Sequence, residues 1–246
     1  MKLNIDTGKY YQVSTLTALS LGYSKSVITV EELLSHGDTG LGTFEDVDGE
    51  MIVLDGKCYR ALNDGNVVPA ENDRGVPFAA VCEFKSHRSE ELGKVDTIED
   101  LKNWLTLAVE EEFGLNSMYA VRIDGEFSKV DARSESGTKA HHVTLKDALS
   151  VTQRAFIFEN IKGTLVCVYY PDYMDGINAA GWHLHFLSDD KKYGGHVFDV
   201  SVIKGNANFN RIANVEVRIP DTPAFDTYAL KSASQDDIKS VEQGKK

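Results

Sequence analysis

The sequence predicts an α+β protein, β-rich, built from mostly antiparallel or mixed strands with a few helices covering them, and three observations carry that reading. Strand-like apolar runs outnumber helical stripes. The helical stripes open on one repeated signal, a threonine followed three residues later by an acid. Asp-Gly pairs divide strand-like runs, which is the composition of tight hairpins.

In chain order, Thr29 with Glu32 opens a short helix, "VEELLSHG", with Gly37 as its expected stop. "GEMIVLDGKCYRAL" reads as two strands turning at Asp55-Gly56, and "FAAVCEF" as another. "KSHRSEELGK" is a polar connection near residues 85–95. Thr97 with Asp100 opens the longest helix, in which Ile98, Leu101, Trp104, Leu105, Ala108 and Phe113 recur at helical spacing before Gly114. "MYAVRIDGEFSKVDAR" predicts a second hairpin at Asp124-Gly125. Thr144 with Asp147 opens a third helix. "AFIFEN", "GTLVCVYYP", "GWHLHFL", "HVFDVSVIKG" and "ANVEVRIP" read as further strands. A faint echo between the Gly-Thr segments at 42 and 163 suggests two similar halves, about 10–90 and 91–225, followed by a tail, 226–246.

A chain of 246 residues suffices for a substantial core without staples. With 26 basic against 38 acidic side chains, the net charge of −12 repels phosphate backbones and anionic bilayers, which argues against nucleic acid and membrane partners. The N-terminal stretch lacks an uninterrupted apolar segment, and no apolar run of about 20 residues occurs, so a cytoplasmic location is expected. Cys58, Cys82 and Cys167 are an odd number without C-x-x-C spacing and read as reduced core thiols.

The segment "GWHLHFLSDDKKYGGH" places three of the seven histidines within fourteen positions. His183 and His185 project from one face of a strand, because strand side chains alternate with period two. If the polar turn centres on Asp190 and Lys191, His196 returns directly opposite His185, with Cβ atoms roughly 4.5–5.5 Å apart. A slip of one residue would send it to the other face. Three neutral imidazoles leave a divalent ion its full charge and an open position, as in catalytic zinc, although imidazole also suits iron, nickel, copper or cobalt.

Other chemistry-bearing positions are sparser. Glu50 closes a glycine-dense acidic loop at the start of a strand, a common place for a site residue. Arg133 ends a strand, where its planar fork suits a carboxylate. His36, His87, His141 and His142 lack a partner at ligand spacing and read as surface or capping residues. These residues alone are compatible with a three-histidine metal-dependent isomerase or hydrolase, or with a non-catalytic β-rich binding module.

"HGDTGLGTFEDVDGEMIVLDGKCY" together with "GWHLHFLSDDKKYGGHVFD" resembles the acetolactate decarboxylase family, and the likeness runs from about Tyr11 to the tail. The resemblance implies a lyase that converts 2-acetolactate to acetoin, in acetoin and butanediol formation, with a bound zinc ion and a homodimer of chains made of two related α+β halves. It makes His183, His185 and His196 the metal ligands and Glu50 the family's glutamate in a Gly-Glu-x-Ile strand. Arg133 matches its essential arginine, Glu242 a tail glutamate that folds back to the metal, and Thr43 a threonine near the substrate. Either glutamate could handle the proton or touch the metal. Thr39 replaces a usually bulky residue, which should alter packing rather than chemistry.

Overall fold

The computed structural model describes residues 7–138 and 143–230. Its elements run β1 (Gly8–Val13), α1 (Leu16–Ser20), β2 (Ile28–Thr29), α2 (Val30–Leu34), β3 (Thr39–Thr43), β4 (Glu50–Leu54), β5 (Lys57–Ala61), β6 (Val67–Pro69), β7 (Gly75–Val76), β8 (Phe78–Cys82) and β9 (Arg88–Leu92). They continue with α3 (Ile98–Glu112), β10 (Met118–Glu135), α4 (Leu145–Thr152), β11 (Gln153–Tyr170), β12 (Gly181–Ser188), β13 (Gly194–Arg218) and α5 (Pro223–Asp226). The α+β class and the dominance of antiparallel pairing are as the sequence predicts.

Threonine starts every one of these helices. Thr29, Thr97 and Thr144 each accept the backbone N–H three residues on, at 3.2–3.3 Å, an arrangement worth about 1 kcal/mol apiece. Thr15 and Thr222 do the same for α1 and α5, which the apolar pattern was too short to reveal. α3 buries Ile98, Leu101, Leu105, Ala108 and Val109, while Trp104 and Phe113 are only partly buried against the same core. Gly114, at φ 81°, and Phe113 both donate to the Val109 carbonyl and end the helix where expected. α2 instead stops at Leu34 with Ser35 as its cap. Gly37 is needed for a different reason: a Cβ there would meet the Cys82 backbone at 2.7 Å.

One sheet joins eleven strands in the order β10-β11-β12-β13-β1-β8-β3-β4-β5-β6, with β9 added on β13. Two closures shape it. β10 also pairs with β13, so β10, β11, β12 and β13 form a ring of pairings, filled by Val121, Phe127, Leu165, Phe186 and Phe209 and covered by α3. At the other end, Val67 N–H donates to the Lys192 carbonyl (2.8 Å) and Gly194 N–H to the Gly65 carbonyl (3.2 Å). These bonds fasten the β5–β6 end back onto the β12–β13 turn. Parallel pairing of β1 with β13 links the strands of residues 8–82 to those of 88–218.

The Asp55-Gly56 hairpin forms with both residues at positive φ (52° and 71°). Asp124-Gly125 does not turn: β10 runs straight through it, and the two long strands foreseen as pairs, β11 and β13, are likewise continuous. The reason is pairing on both sides. Gly125 lies opposite Gly163 in β11 and Gly205 in β13, and a Cβ on Gly125 would sit 2.7 Å from the Lys204 carbonyl oxygen. The glycine serves close approach of three backbones rather than a turn.

Cys58, Cys82 and Cys167 are buried free thiols, as expected. Thr39 is buried in β3 opposite Cys82. Among the described residues no helix is long and apolar enough to cross a membrane.

Candidate active site

The β12–β13 turn forms as the sequence predicts. Ser188 N–H donates to the Tyr193 carbonyl at 2.8 Å, Ser188 Oγ accepts from Tyr193 and Lys192, and Lys191 takes φ 60°. His185 therefore pairs with His196. Past that pair β13 leaves β12 and takes up β10, so His196 also lies opposite Arg133. His185, His196 and Arg133 thus stand in one row across three strands, on one face. Gly195 permits this, since a Cβ there would lie 2.5 Å from the Arg133 carbonyl oxygen.

His183, two residues back on the same face of β12, reaches across the gap left by the diverging strands. Its Nε2 lies 3.1 Å from His185 Nε2 and 2.9 Å from His196 Nδ1. The ligand atoms of all three lie within 4.8 Å of one another. All three rings are buried. His185 Nδ1 is 2.8 Å from the Met51 carbonyl, which can only accept, so Nδ1 carries the proton and Nε2 presents its lone pair to the cluster. Burial drives the His183 pKa down to about 3, with the Arg133 and Lys102 charges adding to the effect. Burial, then His183, holds His185 well below its ordinary value against the opposing bond to Met51.

Imidazoles converging on one point fit a divalent cation. A tetrahedral ion with bonds of about 2.0–2.1 Å needs nitrogens about 3.3 Å apart, close to the 3.1 Å and 2.9 Å that separate His183 Nε2 from the other two rings. Without a cation, the lone pair on His185 Nε2 would face a second ring nitrogen at hydrogen-bond distance. The three histidines can therefore hold a metal.

Carboxylate and guanidinium complete the wall. Glu50, at the start of β4 and 6% exposed, sets Oε2 3.4 Å from His185 Nε2 and Oε1 3.7 Å from Arg133 Nη1. Its backbone is pinned: Glu50 N–H donates to Ser134 Oγ (3.1 Å), and Ser134 donates to the Ala61 carbonyl (2.7 Å). Arg133, 3% exposed, donates from Nη1 to Gln153 Oε1 (3.1 Å) and lies 5.3 Å from the centroid of the Phe198 ring. Thr43 faces the same space and braces the loop before Glu50 by donating to the Gly49 carbonyl at 2.9 Å.

His183, His196, Glu50, Arg133 and Thr43 line one small pocket. Glu135 also lines it, and an apolar wall is made by Leu19 from α1, Phe78 from β8, and Leu145 and Leu149 from α4. The structure thus gathers His183, His185, His196, Glu50, Arg133 and Thr43 at one place. Glu242 lies outside the described residues, as do His141 and His142. His36 stacks on Tyr11 (centroids 3.6 Å), and His87 accepts from Arg211 N–H, so neither joins the site.

Sequence reasoning missed Glu135, Ser134, Gln153 and Phe198. Period-two alternation from Arg133 would have placed Glu135 beside it, and alternation from His196 would have placed Phe198. The apolar wall carried no signal, because it is assembled from elements distant in the chain.

The alpha-acetolactate decarboxylase family model matches residues 10–232. The chain is 38% identical over 233 residues to the alpha-acetolactate decarboxylase of Methanosarcina mazei, spanning 95% of this chain and 80% of that one. It is 38% identical over 216 residues to the protein of the same name from Lactococcus lactis subsp. cremoris, spanning 85% and 87% respectively. The crystal structure of alpha-acetolactate decarboxylase from Bacillus subtilis strain 168 superimposes with a TM-score of 0.90 at 33% identity, covering 95% of this chain and 99% of that one.

Proposed function

The chain belongs to the alpha-acetolactate decarboxylase family, a carbon–carbon lyase family, and from that premise we propose that it converts 2-acetolactate to acetoin with a divalent metal, zinc, held by His183, His185 and His196. One observation carries the reading: a buried cluster of three imidazoles lies beside one arginine and two glutamates, Glu50 and Glu135. No observation favours an isomerase, a hydrolase or a binding module.

2-Acetolactate bears its carboxylate on a carbon that also carries a hydroxyl and adjoins a ketone. When carbon dioxide departs, the electron pair it leaves is delocalised toward the ketone oxygen as an enediolate, which must then take a proton at carbon. A divalent cation supplies Lewis-acid stabilisation of that developing charge. Arg133, permanently charged and buried, orients the carboxylate. Glu50, between His185 and Arg133, is placed to carry the proton. Thr43 borders the substrate, and the apolar wall faces its methyl groups while excluding water. Glu242 is assigned to the site on family grounds.

Three further assignments complete the reading. A homodimer is supported by the outer edge of β11 over residues 153–162, which has no strand neighbour among the described residues and carries Ile157 at 55% exposure. Two related halves are supported by the way strands of residues 8–82 and 88–218 gather at opposite ends of the sheet. Placement in the cytoplasm, with a role in acetoin and butanediol formation, is supported by the three free buried thiols and the family.

The deciding experiment measures acetoin released from racemic 2-acetolactate by metal-loaded and metal-stripped protein. Release that disappears on stripping and returns with zinc supports the reading. A loaded protein no faster than its stripped control overturns it.

A further inference from the structure

Val47 lines the site pocket from the loop between β3 and β4, and it is buried in one cluster with Leu19, Phe78, Leu145 and Leu149 of the apolar wall. Its backbone lies at φ 56°, after Asp46 at φ 63°. Aspartate tolerates the left-handed region because its short polar side chain bonds locally, but a β-branched side chain clashes with its own backbone there. The bend alone calls for glycine or asparagine. A valine kept in it calls for a use of the side chain, and such strain persists only where the surroundings over-determine it. Here several elements do so. Val47 N–H donates to the Phe44 carbonyl (2.9 Å), Asp46 N–H to the Ser24 carbonyl (2.9 Å), and Thr138 N–H to the Asp46 carbonyl (3.0 Å). The Asp48 carboxylate accepts from Arg60 Nη1 at 2.6 Å, from Arg74 Nη2, and from Gly137 N–H at 2.9 Å. One side chain thereby ties the loop to β5, to the connection between β6 and β7, and to the segment after β10.

We propose that Val47 is a specificity-determining residue: the loop braced by Asp48 presses its isopropyl group into the pocket, where it admits a methyl substituent of the substrate and crowds an ethyl. The inference rests on the function proposed above. The other apolar wall residues stand on α1, β8 and α4, whose backbones are regular. Val47 alone among them is held in place against its own backbone preference, so its position answers to the loop rather than to a helix or a strand. Shortening or lengthening this one side chain changes the room for an alkyl group while leaving the three histidines untouched.

The test compares the metal-loaded parent with Val47→Ala, Val47→Ile and Asp48→Asn on 2-acetolactate and on its two homologues with ethyl in place of one methyl, at the hydroxyl-bearing carbon or at the ketone. Zinc per chain and the Kd values for the unreactive acids 2-hydroxyisobutyrate and 2-hydroxy-2-methylbutyrate are read on the same proteins. One methylene in an apolar pocket discriminates about tenfold or more. Val47→Ala should therefore raise kcat/KM for at least one homologue, relative to 2-acetolactate, by about tenfold with zinc unchanged. Asp48→Asn, which slackens the loop, should shift the same ratio in the same direction. A merely structural valine would change thermal stability and leave the ratios alone, so ratios within about twofold of the parent for both homologues in Val47→Ala overturn the inference. Should Val47→Ala fail to fold, Val47→Ile decides, because it keeps the β-branch and adds one carbon: a fall of about fivefold in the same ratio is expected, and none overturns the inference. A parent that releases no acetoin would refute the proposed function instead. The relative affinities for the two unreactive acids, expected to move about tenfold toward the larger in Val47→Ala, would still decide the role of Val47.

Discussion

Replacing Ser134 with alanine tests how the site is held. Ser134 is fully buried, and its hydroxyl bonds to two backbone groups on paired strands: it accepts from Glu50 N–H at 3.1 Å and donates to the Ala61 carbonyl at 2.7 Å. Alanine fills nearly the same volume, so packing changes little and the loss is polar. Each buried backbone group left without that partner costs about 1–3 kcal/mol, giving about 2–6 kcal/mol for the two together. In a chain of this size 1 kcal/mol moves Tm by about 2–4 °C, so a fall of about 4–24 °C is expected in thermal unfolding followed by circular dichroism. Because the same bond sets the start of β4, Glu50 should lose its register with His185, and kcat should fall more than KM rises. A variant within 2 °C of the parent Tm and with unaltered kcat would refute the claim that this hydroxyl positions Glu50.

His185→Ala removes the central ligand of the cluster and should reduce bound zinc below about 0.2 per chain by elemental analysis, abolishing acetoin release; retention of a full equivalent would show that the metal lies elsewhere. The metal-stripped protein should weaken in acid. His183 has a folded pKa of about 3 against about 6.5 unfolded, so the unfolded chain takes up the proton first as pH falls, and stability present above pH 6.5 drains away toward pH 3. About 3 kcal/mol should be lost between pH 7 and 4 in urea unfolding, and a flat profile would contradict the burial argument. Burial also raises the thiol pKa of all three cysteines, Cys58 to about 12, so none should react with iodoacetamide at pH 8 until the chain is unfolded in guanidinium. Labelling of the folded protein would count against that packing.

What could be read from the sequence was local. Threonine caps, the Asp55-Gly56 hairpin and the β12–β13 turn are fixed by residues within a few positions of one another, and the turn alone determines that His185 meets His196. Asp124-Gly125 carries the same hairpin signal as Asp55-Gly56, yet it stays extended because strands on both sides already hold it in register. Local turn chemistry yields when two neighbours pair with the same backbone. The Met51 carbonyl that sets the His185 tautomer could not be foreseen at all: it is a backbone atom 134 positions away, brought in only when β4 packs on β12.

That contact also explains why the site needs the whole chain. The histidines and Arg133 belong to the ring of β10, β11, β12 and β13, whereas Glu50 and Thr43 belong to strands at the other end of the sheet. Besides the backbone bonds of the β5–β6 end to the β12–β13 turn, links cross between them from Ser134 to Glu50 and Ala61, from His185 to Met51, and through a shared apolar cluster in which Ile52, Leu54 and Tyr59 meet Val166 and Leu187. The apolar cluster supplies most of the adhesion, since burying side chains of this size is worth about 1.5–3 kcal/mol each. The polar links add direction. Because they end on backbone atoms of β4 and β5, they fix where that end of the sheet rests to within a hydrogen-bond length. Cavity walls drawn from separate regions of the chain then meet only in the folded state, so the charge and proton chemistry of the site is unavailable to either region alone.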